Sequence, residues 1–199
     1  EAGMSVTTGT ENVIIGTFAG SSNGSSTNGI TTGTANIAIG LGAMAGDGTA
    51  VTGSNNIAVG RYAGQKLTSG TGNIAIGQSS LDATTTASNN TAIGTNSLSA
   101  NTTGANNAAV GANSLDANTT ASDCTAVGTN ALSTNTVGQS NTAVGTSALQ
   151  ANLNGTRNTA VGRTALQSNT SGSDNTSMGY FAMYKTTSGG LNSAFGKDA

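Results

Sequence analysis

From Gly60 to Gly196 a glycine recurs at every seventeenth residue, through Gly77, Gly94, Gly111, Gly128, Gly145, Gly162 and Gly179. Eight unbroken intervals mark an internal repeat, and a repeat restricts the fold to units that stack on copies of themselves. The same landmark stands earlier at Gly16 and Gly40, with longer intervals that hold "SSNGSSTNGITTGT" and "GDGTAVTGS". Their composition predicts loops bulging from a regular surface. Residues 1–55 are therefore read as irregular rungs with inserted loops and 56–199 as the regular array, in one continuous solenoid domain.

Each repeat has fixed columns. Four residues before the glycine stand Asn12, Asn36, Asn56, Asn73, Asn90, Asn107, Asn141, Asn158, Asn175 and Asn192, with Cys124 as the exception. Stacked, Asn73, Asn90, Asn107, Asn141, Asn158 and Asn175 are expected to form a structural ladder. The residue just before the glycine is Ile or Val in most repeats, Met178 and Phe195 closing the series, and β-branched side chains favour strands. Four residues after it come Met44, Leu81, Leu98, Leu115, Leu132, Leu149, Leu166 and Met183. Eight after it come Thr68, Thr85, Thr102, Thr119, Thr136, Thr170 and Thr187, with Leu153 breaking the column. Each repeat thus predicts two short strand-like pieces between Gly-rich corners. A helix over "ALQAN" is the rival, but so short a helix is marginal in water and its neighbours are poor helix formers.

A seventeen-residue unit with one or two large apolar side chains cannot bury them alone, which predicts an all-β, parallel β-solenoid of about eleven rungs. At roughly 4.8 Å per rung it would span about 50 Å. Strand alternation puts Thr142 and Val144 on one face, Asn141 and Ala143 on the other. We assign the Val and Leu columns to the interior; the alternative places Asn and Ala inside a narrow coil and Val outside. One Val and one Leu per rung contribute about 3 to 6 kcal/mol, against roughly 1 to 2 kcal/mol per residue of backbone ordering. Hydrogen bonds and a partner coil must supply the rest, which favours a side-by-side homotrimer.

Composition narrows function. Only 7% of residues are charged, the net charge is -2, and the six Lys and Arg are scattered, which argues against nucleic acid or anionic membrane as partner. No apolar run reaches the roughly 20 residues of a membrane span. Without His there is no Ser-His pair, and one Cys with scattered carboxylates makes no zinc site, so neither enzyme activity, metal nor cofactor is expected.

The segments "NNIAVG", "GNIAIG", "NNTAIG" and "NTAVGTSAL" resemble the head repeats of trimeric autotransporter adhesins. They are still more similar to the Asn-Thr-Ala-hydrophobic-Gly...Ala-Leu arrays of phage tail-fibre and bacterial fibre proteins. The resemblance covers nearly the whole chain. It implies a left-handed parallel β-roll, three chains side by side, displayed outside the cell on a cell or virion surface for attachment to a host or surface. The seventeen-residue period departs from the shorter adhesin-head repeat, and the charged neck and coiled-coil stalk are lacking, so the tail-fibre reading is at least as good. If a glycine preceded residue 1, Met4 and Thr8 would fall in the Leu and Thr columns, as in a slice of a longer fibre open to end-to-end assembly.

Several residues are candidates for chemistry. Tyr180, Phe181 and Tyr184 form the one dense aromatic group and suit stacking on the rings of a surface glycan or receptor. Asp82 and Asp116 share a column two rungs apart, about 10 Å, near the limit for an inverting glycosidase, although Ser99 between them builds no cleft. The Thr ladder motivates ice binding. Cys124 is either a cross-link or reactive thiol, or a small residue filling an interior column. The glycosylation patterns at Asn101, Asn118, Asn154, Asn169 and Asn175 follow from Asn-Thr richness alone.

Overall fold

The structure, a computed structural model, describes residues 2–3, 6–21 and 29–199; Met4 and half of the first insertion lie outside them. Among the described residues every regular element is a strand. Eleven of them form one parallel sheet: β1 Val13–Ile15, β3 Ile37–Ile39, β5 Ile57–Val59, β6 Ile74–Ile76, β7 Thr91–Ile93, β8 Ala108–Val110, β9 Thr125–Val127, β10 Thr142–Val144, β11 Thr159–Val161, β12 Thr176–Met178 and β13 Ser193–Phe195. The order is sequential and the register places like on like, Thr142 opposite Thr159 and Val144 opposite Val161. This is the predicted β-solenoid.

Each regular rung holds one three-residue strand rather than two. The second piece, through the Thr column, is bonded rung to rung without becoming a sheet: Thr119 N donates to Thr136 O at 3.1 Å and Thr136 N to Leu153 O at 3.0 Å. Thr68, Thr102, Thr119, Thr136 and Thr170 also donate their hydroxyls to the next rung's carbonyl. Leu153 N still donates to Thr170 O at 2.9 Å, so its side chain interrupts only the hydroxyl bonds.

The assignment of the Val column to the interior is overturned. Ala143 is 0% exposed and Asn141 is buried, whereas Val127 is 38% exposed and Val144 half-buried. The reason is the width of the coil. Leu149 reaches the axis from the opposite corner, and the space left across from it fits a single Cβ; Ala and Leu columns together make the core. Where Gly64 replaces the column's leucine, Leu67 takes the place of a polar residue three positions on, and the void there is only about 10 Å³. The Leu column is interior, as expected.

The corner "SALQ" avoids helix because it alternates backbone hands: Ser147 has φ 57° and Leu149 φ 51°. This column requires left-handed φ, which explains why Gly20 and Gly64 are its other occupants. The landmark Gly145, at φ 132°, could not carry a side chain, since a Cβ would lie 2.6 Å from Gly162 backbone.

Asparagine supplies what the thin apolar core lacks. In the predicted ladder Asn73 N and Nδ2 both donate to Asn56 Oδ1, at 2.9 and 3.1 Å, and Nδ2 also caps Ala87 O at 2.9 Å. Asn158 and Asn175 continue the pattern. A second, equally buried ladder runs through Asn101, Asn118, Asn135, Asn152 and Asn169. There, from Asn118 onward, each Nδ2 donates to the Oδ1 of the preceding rung, as from Asn118 to Asn101 at 2.8 Å and from Asn152 to Asn135 at 2.8 Å. The insertions also feed the core: β2 Gly29–Ile30 pairs with β4 Ala50–Val51, and Ile30 and Val51 are fully buried rather than bulging outward.

Candidate functional site

The outer face of the eleven-stranded sheet is built by the first and third residue of every strand. It bears no charged side chain. At β1, β3, β5 and β6 both positions are Ile or Val; from β7 the first becomes Thr, Ala or Ser while the third stays Ile or Val as far as β11. The hydroxyls of Thr91, Thr125, Thr142, Thr159 and Thr176 make no bond within the described chain, unlike those of Thr68, Thr102, Thr119, Thr136 and Thr170.

The structure brings Tyr180, Phe181 and Tyr184 together. Phe181 packs edge-on against Tyr180, centroids 4.3 Å apart, and against Tyr184 at 5.0 Å. The three are not equally available. Arg163 Nη1 donates to the Tyr180 hydroxyl at 3.0 Å, with its guanidinium 5.6 Å from that ring's centre. Phe181 is half-buried; Tyr180 and Tyr184 are both exposed, at 39% and 37%, and Tyr184 is the one of the two with no cation or side-chain hydrogen bond on its ring.

Tyr184 closes a surface groove of about 410 Å³ that follows the axis over four rungs, lined by Thr134, Gln150, Ala151, Gln167, Ser168 and Tyr184. Within it Gln167 Nε2 donates to Gln150 Oε1 at 2.7 Å. On its other side Tyr184 borders a cavity of about 550 Å³ with Phe181, Met183, Lys185, Thr186, Asp198 and Ala199. Sequence reasoning missed Gln150 and Gln167. Their seventeen-residue spacing was the available signal, masked because Asp82, Ser99, Asp116 and Ser133 separate them from Gln65 in the same column.

The remaining candidates are held by the scaffold. Asp116 Oδ1 accepts a hydrogen bond from Ser99, which stands between it and Asp82. Asp82 Oδ1 is buried without a partner; burial pushes this carboxyl upward, Lys66 pulls it down and Asp47 adds to the rise. Cys124 is buried in the Asn column, and burial pushes its thiol up. Asn101, Asn118, Asn169 and Asn175 are buried in the ladders, leaving Asn154 as the exposed glycosylation pattern among the five. Among the described residues no group of three or more His, Cys, Asp or Glu side chains converges as a metal site would require.

No protein-family model matches this chain, and neither curated proteins nor solved structures give a match to it.

Proposed function

We propose that this chain is a stiff, non-enzymatic segment of an extracellular fibre, borne on a cell or virion and used for attachment, with three copies packed side by side through the outer sheet face. The observation that carries the reading is that face: uncharged, continuous over eleven strands and studded with exposed β-branched side chains. Soluble monomers rarely leave so long an apolar band open. Stacked rungs joined by buried amide ladders suit a shaft, and the repeated surface suits many weak contacts acting together.

Sedimentation equilibrium tests the assembly. The purified chain is expected to sediment as a trimer, and Val127→Lys with Val144→Lys as a folded monomer, since both side chains point outward. A wild-type monomer at micromolar concentration overturns the trimer.

A second reading rests on the unbonded hydroxyls of Thr91, Thr125, Thr142, Thr159 and Thr176 beside the Ile and Val column. Regularly spaced hydroxyls and methyl groups on a flat sheet suit ordered water, so the same face in a monomer would adsorb to ice. Thermal hysteresis separates the readings: it requires the face to be open, whereas the trimer covers it.

A further inference from the structure

We propose that the groove beside Tyr184 is a binding site for a neutral linear oligosaccharide lying parallel to the solenoid axis. This deepens the attachment reading and rests on it, but the groove is built from residues outside the sheet face and does not depend on the trimer.

Four observations converge. The lining residues carry no charge, so an anionic glycan, a phosphate or a nucleic acid finds no counter-ion there. Tyr184 offers an exposed ring whose plane is fixed by the edge-on contact with Phe181, and a rigid aromatic face suits the apolar face of a sugar ring. The bond from Gln167 to Gln150 locks two amides side by side and leaves Gln150 Nε2 as donor and Gln167 Oε1 as acceptor, neither with a partner in the chain. A donor and an acceptor held side by side match vicinal sugar hydroxyls, which give and accept in turn. Ala151 and Ser168 keep the floor shallow. From Gln150 to Tyr184 is two rungs, about 10 Å at the strand spacing, the reach of a short oligosaccharide.

Arg163 already occupies Tyr180, so the stacking role falls to Tyr184 and not to the aromatic group as a whole. A single groove of this openness is weak; copies presented together on a fibre add by avidity.

The test follows the side-chain amide signals of Gln150 and Gln167 in NMR titrations with maltohexaose, cellohexaose, chitohexaose and mannohexaose at millimolar concentration, and with a sulfated hexasaccharide as the charged probe. At least one neutral hexaose is expected to shift both amides and the Tyr184 ring. Tyr184→Ala weakens that binding about tenfold or more, and Tyr184→Phe retains most of it. Gln167→Ala, which leaves every main-chain bond in place, also weakens it. Unchanged circular dichroism in each variant excludes misfolding. No shift with any neutral hexaose, a shift with the sulfated probe alone, or binding indifferent to Tyr184→Ala overturns the proposal. Sedimentation of the same samples shows separately whether the fibre assembly holds.

Discussion

The thiol of Cys124 lies 3.3 Å from Gly138 O, the carbonyl that an asparagine in its place would cap. Cys124 N keeps the ladder bond to Asn107 Oδ1 at 2.9 Å, so the rung below is served as usual. The rung above is not: the thiol offers Asn141 N–H only a weak sulfur acceptor, while Asn141 Nδ2 turns back to Gly138 O at 3.1 Å.

Restoring asparagine should therefore stabilise the protein. Cys124→Asn exchanges a weak sulfur donor and acceptor for an amide, a gain of about 1 kcal/mol, read as a shift of the denaturation midpoint. In the wild type the buried thiol should react with a thiol reagent only as fast as the rungs around it open. Reaction at the rate of a free cysteine would show that the interior is not closed.

Asn152 tests the second ladder. Its Nδ2 donates to Asn135 Oδ1 at 2.8 Å and Gly155 O at 3.0 Å, and its Oδ1 accepts from Asn169 at 2.9 Å. Asn152→Ala leaves Asn135 Oδ1 without its donor in a dry interior, while Gly155 O keeps Asn141 Nδ2 and Asn169 Nδ2 keeps Gly172 O, a loss of about 2 kcal/mol. Thr142→Val, on the outer face with no side-chain bond to lose, should change the monomer's stability by less than about 0.5 kcal/mol. Equal losses from the two would mean that the amides are solvated.

The leucine column should break the usual size rule. Leu149 is buried with φ 51°, a region that penalises β-branched residues most. Leu149→Ala leaves a cavity costing about 3 kcal/mol, and Leu149→Met costs under about 1.5 kcal/mol. Leu149→Val keeps more volume than Ala but adds backbone strain, so it should lose about as much. A chemical-denaturation series over the three variants decides this.

Asp82 gives a pH signature. Its carboxyl is raised above the ordinary value, mainly by burial, so the native state holds the proton more tightly than the unfolded chain does. The penalty is absent below the unfolded value and grows as pH rises through the raised native value. Asp82→Asn should relieve it, stabilising by less than about 1 kcal/mol at pH 7 because the group is half-exposed and loses Lys66 as a neighbour. The gain should vanish in acid. A gain that persists there would point to packing instead.

The period, the stacking and the first Asn ladder were legible because each is a column of identical residues, and stacking converts columns directly into neighbours. Which strand face turns inward was not legible. Hydropathy favours Val144 over Ala143, but the inner width is set by Leu149 and its left-handed backbone, a relation between residues six positions apart that periodicity does not express. The second Asn ladder had a visible signal, Asn101 to Asn169 at the same spacing, obscured because Thr84 and Leu67 occupy the column at its start. The groove at Tyr184 was harder still: it combines Gln150, Gln167 and Tyr184 from a column that elsewhere mixes Ser, Ala, Gln and Asp.

The amide-to-amide bonds of the two buried asparagine chains run the same way, from Nδ2 to the Oδ1 of the lower-numbered rung in both the Asn73 and the Asn118 series, with Asn107 and Asn141 turning their Nδ2 to main-chain carbonyls alone. Their dipoles therefore add along the axis and reinforce one another in the low-dielectric interior. The rod is electrically directional, like a row of magnets laid head to tail. A rung or a second rod stacked in the reversed sense would set donor against donor, so the interior itself encodes polarity of growth.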